Sequence, residues 1–221
     1  MKGGEQPPQF QPEGDVFQHT RIMLELLPSE VSLPLVFSVL FHDIGKPPTA
    51  TIDETGRIRF NGHDKLGAEM TEEIMQRLRF SRAEIDDTVE AVRQHMVFKD
   101  VPNMRVAKLK RFMARPNFTD ELELHRVDCQ SSHGMLDNYQ FLKAKGEEFA
   151  NEPIIPPPLV TGADLIALGL KPGPQFGEIL EAVETRQLEG TLSDRDEALA
   201  WARAECLTAD ATDNADGEDD T

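Results

Sequence analysis

The sequence is poor in several features that define large classes of protein. Its two cysteines, Cys129 and Cys206, form no CxxC pair, which argues against a disulfide framework and fits a reducing compartment. Its apolar runs fall well short of the roughly 20 residues that a membrane-spanning helix requires. The first fifteen residues, MKGGEQPPQFQPEGD, lack the apolar centre of a signal peptide. These absences predict a cytoplasmic protein that does not cross a membrane.

Basic residues are also scarce. The chain has 23 Lys and Arg against 40 Asp and Glu, which gives a net charge of −17 and opposes simple electrostatic capture of nucleic acid. The exception is RVAKLKRFMARP, which on a helix would align a basic stripe. The basic stripe consists of Arg105, Lys108, Arg111 and Arg115. It is either a solvated helix face or a ridge that contacts the phosphates of a polyanionic substrate such as RNA.

Segments with the alternation of β-strands are rare, and helical periodicity recurs along the chain. We therefore predict an all-α fold, in which TIDETGRIRF is the one candidate hairpin. Pro34 is expected at the start of one helix and Asp15 at the cap of another. Further helices are expected at 64–79, 83–96, 105–114 and 119–149, the last broken near Gly134.

The proline-rich segment EPIIPPPL marks a domain boundary, because consecutive prolines hold the chain extended. The last residues are acidic and lack aromatic side chains, which is typical of disordered tails. The predicted order is an N-terminal arm at 1–14, a helical domain at 15–150, a smaller helical segment at 151–205 and an acidic disordered tail at 206–221.

Histidines and carboxylates lie on the apolar faces of several predicted helices. In FHDIGKPPT, Asp43 ends an apolar helix, where a buried carboxylate is costly unless a partner or a cation neutralises it. One such group alone is explained by a core hydrogen bond, but several on successive helices favour a shared divalent cation. The candidate ligands are His19, His42, Asp43, His63, His95 and Asp128. Mixed nitrogen and oxygen ligation suits Mn, Fe, Co, Ni or Zn, and Mg if oxygens dominate.

The segments that carry these residues are GDVFQHT, FHDIGKP, FNGHDKLGAE, RQHM and HRVDCQSSHG. Their order resembles the HD superfamily of metal-dependent phosphohydrolases. They are most similar to the HD module of the bacterial CCA-adding tRNA nucleotidyltransferase and poly(A) polymerase family. The segment from VTGADLIALG to SDRDEAL is similar to the body and tail region that follows that module. The strand-rich nucleotidyltransferase head of that family is absent, so we do not expect this chain to add nucleotides by itself.

The resemblance implies a role for each candidate ligand. The first divalent ion would be bound by His19, His42, Asp43 and Asp128, and a second ion by His63 and His95 with Asp43 as the bridge. One or two ions of Mn, Ni, Co, Fe or Mg would activate water for attack on phosphorus, which makes Asp43 catalytic. Lys46 would neutralise a phosphoryl oxygen during catalysis, or it is a solvated lysine before a turn.

Three hypotheses from different classes follow. The first is a phosphatase or phosphodiesterase that acts on nucleotide or RNA-end phosphate esters such as 2′,3′-cyclic phosphates. The second is the RNA-binding half of a split tRNA nucleotidyltransferase or poly(A) polymerase, with its catalytic head on another chain and tRNA as its partner. The third is a structural helical domain whose His and Asp side chains hydrogen-bond one another. The enzyme is favoured because the ligand set is complete although the head is missing.

Overall fold

The computed structural model describes residues 16–150 and 153–213. Regular structure in these ranges is almost entirely helical, which confirms the predicted all-α class. The predicted cap at Asp15 lies outside the described residues. Within the described ranges, none of the helices has the length and apolar character needed to cross a membrane.

The helices follow one another with short connections and one small hairpin. They are α1 (Val16–Glu25), α2 (Leu33–Phe41), α3 (Lys46–Thr49), β1 (Thr51–Ile52), β2 (Ile58–Arg59), α4 (His63–Arg77), α5 (Arg82–Gln94), a 3-10 helix (His95–Asn103), α6 (Val106–Met113), α7 (Phe118–Ser131), α8 (Asp137–Phe149), α9 (Gly162–Ala167), α10 (Pro174–Leu188) and α11 (Arg195–Asp213). The predicted hairpin is present, with Thr51 opposite Arg59 and Ile52 opposite Ile58.

The chain divides into two compact units. The first comprises Met1–Asn103 and Arg115–Glu148, and the second comprises Met104–Ala114 and Phe149–Thr221. The change from the first to the second unit between Glu148 and Phe149 lies next to the predicted domain boundary at residue 150. The assignment of α6 to the second unit has no counterpart in the predicted domain order. In addition, α11 continues to Asp213, so a helix extends into the segment that the composition predicts to be a disordered tail.

The first unit is built around α2, which is apolar on all sides. One face of α2 packs with α1, α5 and α7 around a cluster of Met23, Leu35, Val39, Ala91, Leu124 and Val127. Its end packs with α4 and α5 around a cluster of Phe41, Ala68, Met75, Ile85, Val89 and Val92. Each fully buried side chain of this kind contributes about 1.5–3 kcal/mol. The residues that follow α2 are therefore fixed from two sides.

The second unit has its own small core. The side chains of α9, α10 and α11 and of the neighbouring loops meet in a cluster of Val160, Leu165, Ile179, Val183, Leu192, Ala198 and Ala202. Thr161 caps α9, and the carboxylate of Asp164 accepts hydrogen bonds from the Thr161 amide and hydroxyl. Because α6 also packs on α10, the second unit is not continuous in sequence.

Gly45 allows the turn after α2 to pack so closely on the start of α4 that the two backbones are in contact. A Cβ atom at Gly45 would lie 2.2 Å from the carbonyl oxygen of His63 and 2.8 Å from the amide nitrogen of Gly67. Both neighbours are backbone atoms of a helix, so neither can move away easily. This contact holds Asp43 and His63, two of the candidate ligands, close to each other.

We predict that Gly45→Ala lowers the free energy of unfolding by at least about 2 kcal/mol, because an added methyl group overpacks a backbone contact. The variant should also weaken metal binding, because the turn must move away from His63. Thermal denaturation and metal titration measure the two effects. The control is Gly177→Ala at an exposed position of α10 with open space around it, which should be neutral or slightly stabilising. Equal stability of the two variants would contradict the prediction.

Candidate metal centre

His42 and Asp43 lie directly after the last turn of α2. The His42 amide still donates to the Ser38 carbonyl at 2.8 Å, so the helix geometry continues through this residue. Both side chains are about 1% exposed. The two apolar clusters around α2 explain this burial, because they fix the helix end in the interior of the first unit.

One group of candidate ligands, here called the first ligand group, consists of His19, His42 and Asp128. It joins α1, the end of α2 and α7. The Nε2 atom of His19 lies 3.1 Å from Oδ1 of Asp128, and the rings of His19 and His42 are 5.4 Å apart. The Asp128 side chain is 30% exposed, so the group opens to solvent at this carboxylate.

A second ligand group consists of Asp43, His63 and His95. His63 is the first residue of α4, and His95 follows the last residue of α5. Their Nε2 atoms lie 3.6 Å and 4.0 Å from Oδ1 of Asp43. All three residues are buried, with at most 6% exposure.

Asp43 connects the two ligand groups. Its Oδ2 atom lies 3.2 Å from Nε2 of His42, in the first group, and its Oδ1 atom faces the two imidazoles of the second. Oδ2 also lies 2.6 Å from the ammonium of Lys46. The structure thus brings the six candidate ligands together around one carboxylate, with Lys46 beside it.

Three of the four imidazoles have the same orientation. The Nδ1 atom of each faces the carbonyl oxygen of the residue three positions earlier: His42 to Val39 at 2.9 Å, His63 to Phe60 at 2.7 Å and His95 to Val92 at 2.6 Å. A carbonyl can only accept, so we assign the proton to Nδ1 and the lone pair to Nε2 in the neutral ring. This is the arrangement of metal-binding histidines, whose second nitrogen donates to a carbonyl or carboxylate.

The contact between His63 and His95 tests whether a cation fits. Their Nε2 atoms are 3.1 Å apart, although each carries a lone pair in the assigned tautomer. A shared proton is disfavoured, because burial lowers the pKa of His63 and lowers that of His95 to about 4. A cation between the two nitrogens and Asp43 removes the repulsion. Two imidazoles and one carboxylate in each group are ligands that Mn, Fe, Co, Ni and Zn accept.

The charges of Asp43, His42 and Asp128 favour a cation as well. Burial raises the pKa of Asp43, but His42 and Lys46 more than offset this and hold it well below its usual range. Burial likewise opposes ionisation of Asp128, yet the contact with His19 and the charge on His42 lower its pKa to about 2. Burial lowers the pKa of His42, but Asp43 dominates and the net direction is upward. The carboxylates around His42 therefore favour positive charge at this position.

Ser131 was not predicted as part of the site, although it is one turn after Asp128. Its hydroxyl lies 3.3 Å from Nδ1 of His19 and donates to the Asp128 carbonyl at 2.9 Å, so it can accept the Nδ1 proton. The sequence offers a weak signal for it, because Ser131 shares the helix face of Asp128. The carbonyl oxygens that orient the other rings carry no signal in the sequence.

The remaining histidines take no part in the two groups. His125 stacks on the ring of Phe98 at 4.9 Å, and the Nδ1 atom of the exposed His133 accepts from the Met135 amide.

The residues of the basic stripe have different surroundings. Arg105 and Lys108 are exposed on the second unit. Arg111 is half-buried and donates to Glu184 at 2.9 Å and to the Thr185 hydroxyl at 2.9 Å. Arg115 belongs to the first unit, where it forms an ion pair with the buried Glu121. Two of the four guanidinium and ammonium groups are thus engaged by carboxylates within the chain.

Comparison with known families identifies the region that carries the candidate ligands. The family model described as HD domain matches residues 16–128, which include all six candidate ligands. The chain belongs to the HD domain family. No solved structure matches the chain.

Curated relatives of this HD domain protein are tRNA nucleotidyltransferases. It is 34% identical over 203 residues to the A-adding tRNA nucleotidyltransferase of Deinococcus radiodurans, which covers 86% of this chain and 46% of the relative. It is 33% identical over 175 residues to the CC-adding tRNA nucleotidyltransferase of Thermus thermophilus, which covers 78% and 40%. A multifunctional CCA protein of Halorhodospira halophila is 35% identical over 95 residues, 42% of this chain and 22% of the relative. The chain thus spans less than half the length of these relatives.

We predict that the purified protein binds one to two equivalents of divalent metal and that the double substitution His42→Ala and Asp43→Ala abolishes binding, because the two residues serve both ligand groups. Inductively coupled plasma mass spectrometry and isothermal titration measure the stoichiometry. His133→Ala, at an exposed histidine outside both groups, is the control and should bind as the unsubstituted protein does. Stoichiometric binding that survives in the double variant would place the metal site elsewhere.

The pKa directions predict a pH dependence. His95 stays neutral down to a pH of about 4, whereas the raised pKa of His42 lets a proton compete with metal at higher pH. Metal affinity of the first ligand group should therefore fall first as the pH is lowered, and it should recover as the pH rises through the pKa of His42. Metal titrations between pH 8 and pH 5.5 should show the loss of one class of site before the other. Parallel loss of both classes would contradict the assignment.

Proposed function

We propose that this protein is a metal-dependent phosphohydrolase that cleaves phosphate esters of nucleotides or RNA ends, such as 2′,3′-cyclic phosphates. The observation that carries the proposal is the position of Asp43, with one oxygen facing each ligand group. A carboxylate in this position can hold two cations side by side, which is the arrangement used for in-line displacement at phosphorus.

Divalent cations supply an activated water and stabilise the charge on phosphoryl oxygens. The protein's own contribution is to hold the ligands in fixed orientations and to exclude bulk water. Hydrogen bonds at Nδ1 fix the orientation of the buried imidazoles. Bulk water is excluded because five of the six candidate ligands are at most 6% exposed, namely His19, His42, Asp43, His63 and His95. Lys46, whose side chain is 12% exposed and whose ammonium lies beside Asp43, could contact a phosphoryl oxygen of the substrate.

The choice of nucleotide or RNA-end esters rests on the relatives. The names of the Deinococcus and Thermus proteins describe enzymes that act on tRNA, and the similarity covers most of this chain. We therefore infer that the phosphate ester in question is part of an RNA end or of a nucleotide derived from it. Mn, Ni, Co, Fe and Mg are the metals to test, with one or two ions per chain.

We predict turnover of adenosine 2′,3′-cyclic phosphate in the presence of one of these metals and loss of activity on chelation. Asp43→Asn should lower kcat by about a thousandfold or more, because it weakens both ligand groups at once. Lys46→Met should lower kcat by about 10- to 100-fold, because it removes one charge from the phosphoryl oxygen. Initial rates with the metal panel measure these effects, and His133→Ala is the control. Activity that persists in Asp43→Asn would reject this function.

A second candidate function is the RNA-binding half of a split tRNA nucleotidyltransferase, with the catalytic head on another chain. It is favoured by the similarity to the Deinococcus and Thermus proteins, whose names describe enzymes that act on tRNA. In this case the exposed Arg105 and Lys108 would contact RNA phosphates, whereas Arg111 would hold Glu184.

For the second candidate we predict tRNA binding whose salt dependence weakens when basic side chains are removed. Arg105→Gln and Lys108→Gln should each reduce the slope of log Kd against log salt by about one unit, because each lost phosphate contact retains one counterion. Filter binding at several salt concentrations measures this slope. Arg203→Gln, at an exposed arginine outside α6, is the matched control. No measurable tRNA binding at low salt would exclude this candidate.

A further inference from the structure

A cavity of about 370 Å³ lies in the first unit beside the metal centre. It is bordered by the first residue of α1, by α3 with the residues after it, and by the hairpin. Its lining includes Val16, Lys46, Ala50, Ile52, Ile58 and Phe60. Most of this lining is apolar, and Lys46 is its charged member.

Three lining residues also contact or adjoin the metal centre. The ammonium of Lys46 lies 2.6 Å from Oδ2 of Asp43. The carbonyl oxygen of Phe60 accepts the Nδ1 hydrogen bond of His63 at 2.7 Å, while the Phe60 ring faces the cavity. Val16 lies one turn before His19 on α1. The cavity and the two ligand groups therefore share walls.

We propose that this cavity, here called the base pocket, holds the nucleobase of the ester whose phosphate lies at the metal centre; this rests on the proposed phosphohydrolase function. The occupant must be apolar and flat on one side and carry a phosphate on the other. The Lys46 ammonium separates these two ends, since it lies 5.6 Å from the centre of the Phe60 ring and next to Asp43. A volume of this size lies at the lower end of the range for small-molecule sites, which suits a nucleoside.

The lining also predicts how the base is recognised. Bases stack on aromatic rings without regard to sequence, whereas discrimination between bases requires hydrogen-bonding groups at their edges. The base pocket offers the Phe60 ring and the aliphatic side chains of Ile52 and Ile58, and few polar groups. The enzyme should therefore require a base without strongly preferring one of the four.

The test fills the pocket and compares two substrates that share the same cyclic phosphate. Ala50 is exposed and lines the pocket, so Ala50→Trp places an indole there without disturbing the core. In the full chain, the ratio of kcat/KM for adenosine 2′,3′-cyclic phosphate to that for glycerol 1,2-cyclic phosphate should fall at least tenfold, through KM of the adenosine ester. Ala83→Trp, at an exposed alanine of α5 outside the pocket lining, is the control and should keep the ratio.

A second variant and a binding measurement separate this proposal from the proposed function. Phe60→Leu removes the ring but keeps an apolar side chain and the backbone carbonyl, and it should lower the same ratio even if Ala50→Trp fails to fold. Isothermal titration with adenosine 2′-monophosphate should show binding that is about tenfold weaker in the pocket variants. Weakened binding without turnover of either ester would reject the hydrolase but retain the pocket. Turnover of both esters with an unchanged ratio and unchanged binding would overturn the base pocket and retain the hydrolase.

Discussion

The buried carboxylate of Asp43 is the constraint on which the rest of the first unit depends. A charge at 1% exposure is unfavourable unless a positive group or a cation lies beside it, and the groups around Asp43 come from the ends of α2 and α5 and from the starts of α3 and α4. His42 faces one oxygen, His63 and His95 face the other, and Lys46 contacts the first oxygen as well. The packing of α2, α4 and α5 serves to bring these partners to one point, since each helix contributes its end rather than its middle.

The use of helix ends has a chemical reason. The last carbonyl groups of a helix have no partner within the helix. His42 and His95 each follow such an end, and their rings donate Nδ1–H to Val39 and Val92 at 2.9 Å and 2.6 Å. One hydrogen bond thus satisfies a helix carbonyl and fixes the ring with its Nε2 lone pair toward the centre. The metal ligands are oriented by the same contacts that end the helices.

The candidate metal centre and the proposed base pocket lie entirely within the first unit, whereas the HD domain match over residues 16–128 also includes α6 of the second unit. The second unit has a separate core and includes α6, although this helix interrupts the first unit in sequence. The exposed basic residues of α6 therefore belong to a different unit from the metal ligands. The proposed hydrolysis would therefore depend on residues of the first unit, and the alternative RNA contact on residues of the second.

The sequence by itself determined the class of the fold and the order of its helices, because apolar periodicity and caps such as Thr161 are local signals. It also pointed to the six candidate ligands, since charged side chains on apolar helix faces are unusual. The resemblance implied how these ligands divide around Asp43, but only the tertiary structure gave their distances and ring orientations, because contacts between α1, α2, α5 and α7 are long-range. The same holds for the ion pairs of Arg111 and Arg115 and for the base pocket. Their partners are distant in sequence or lie on another element, so no periodicity along the chain reports them.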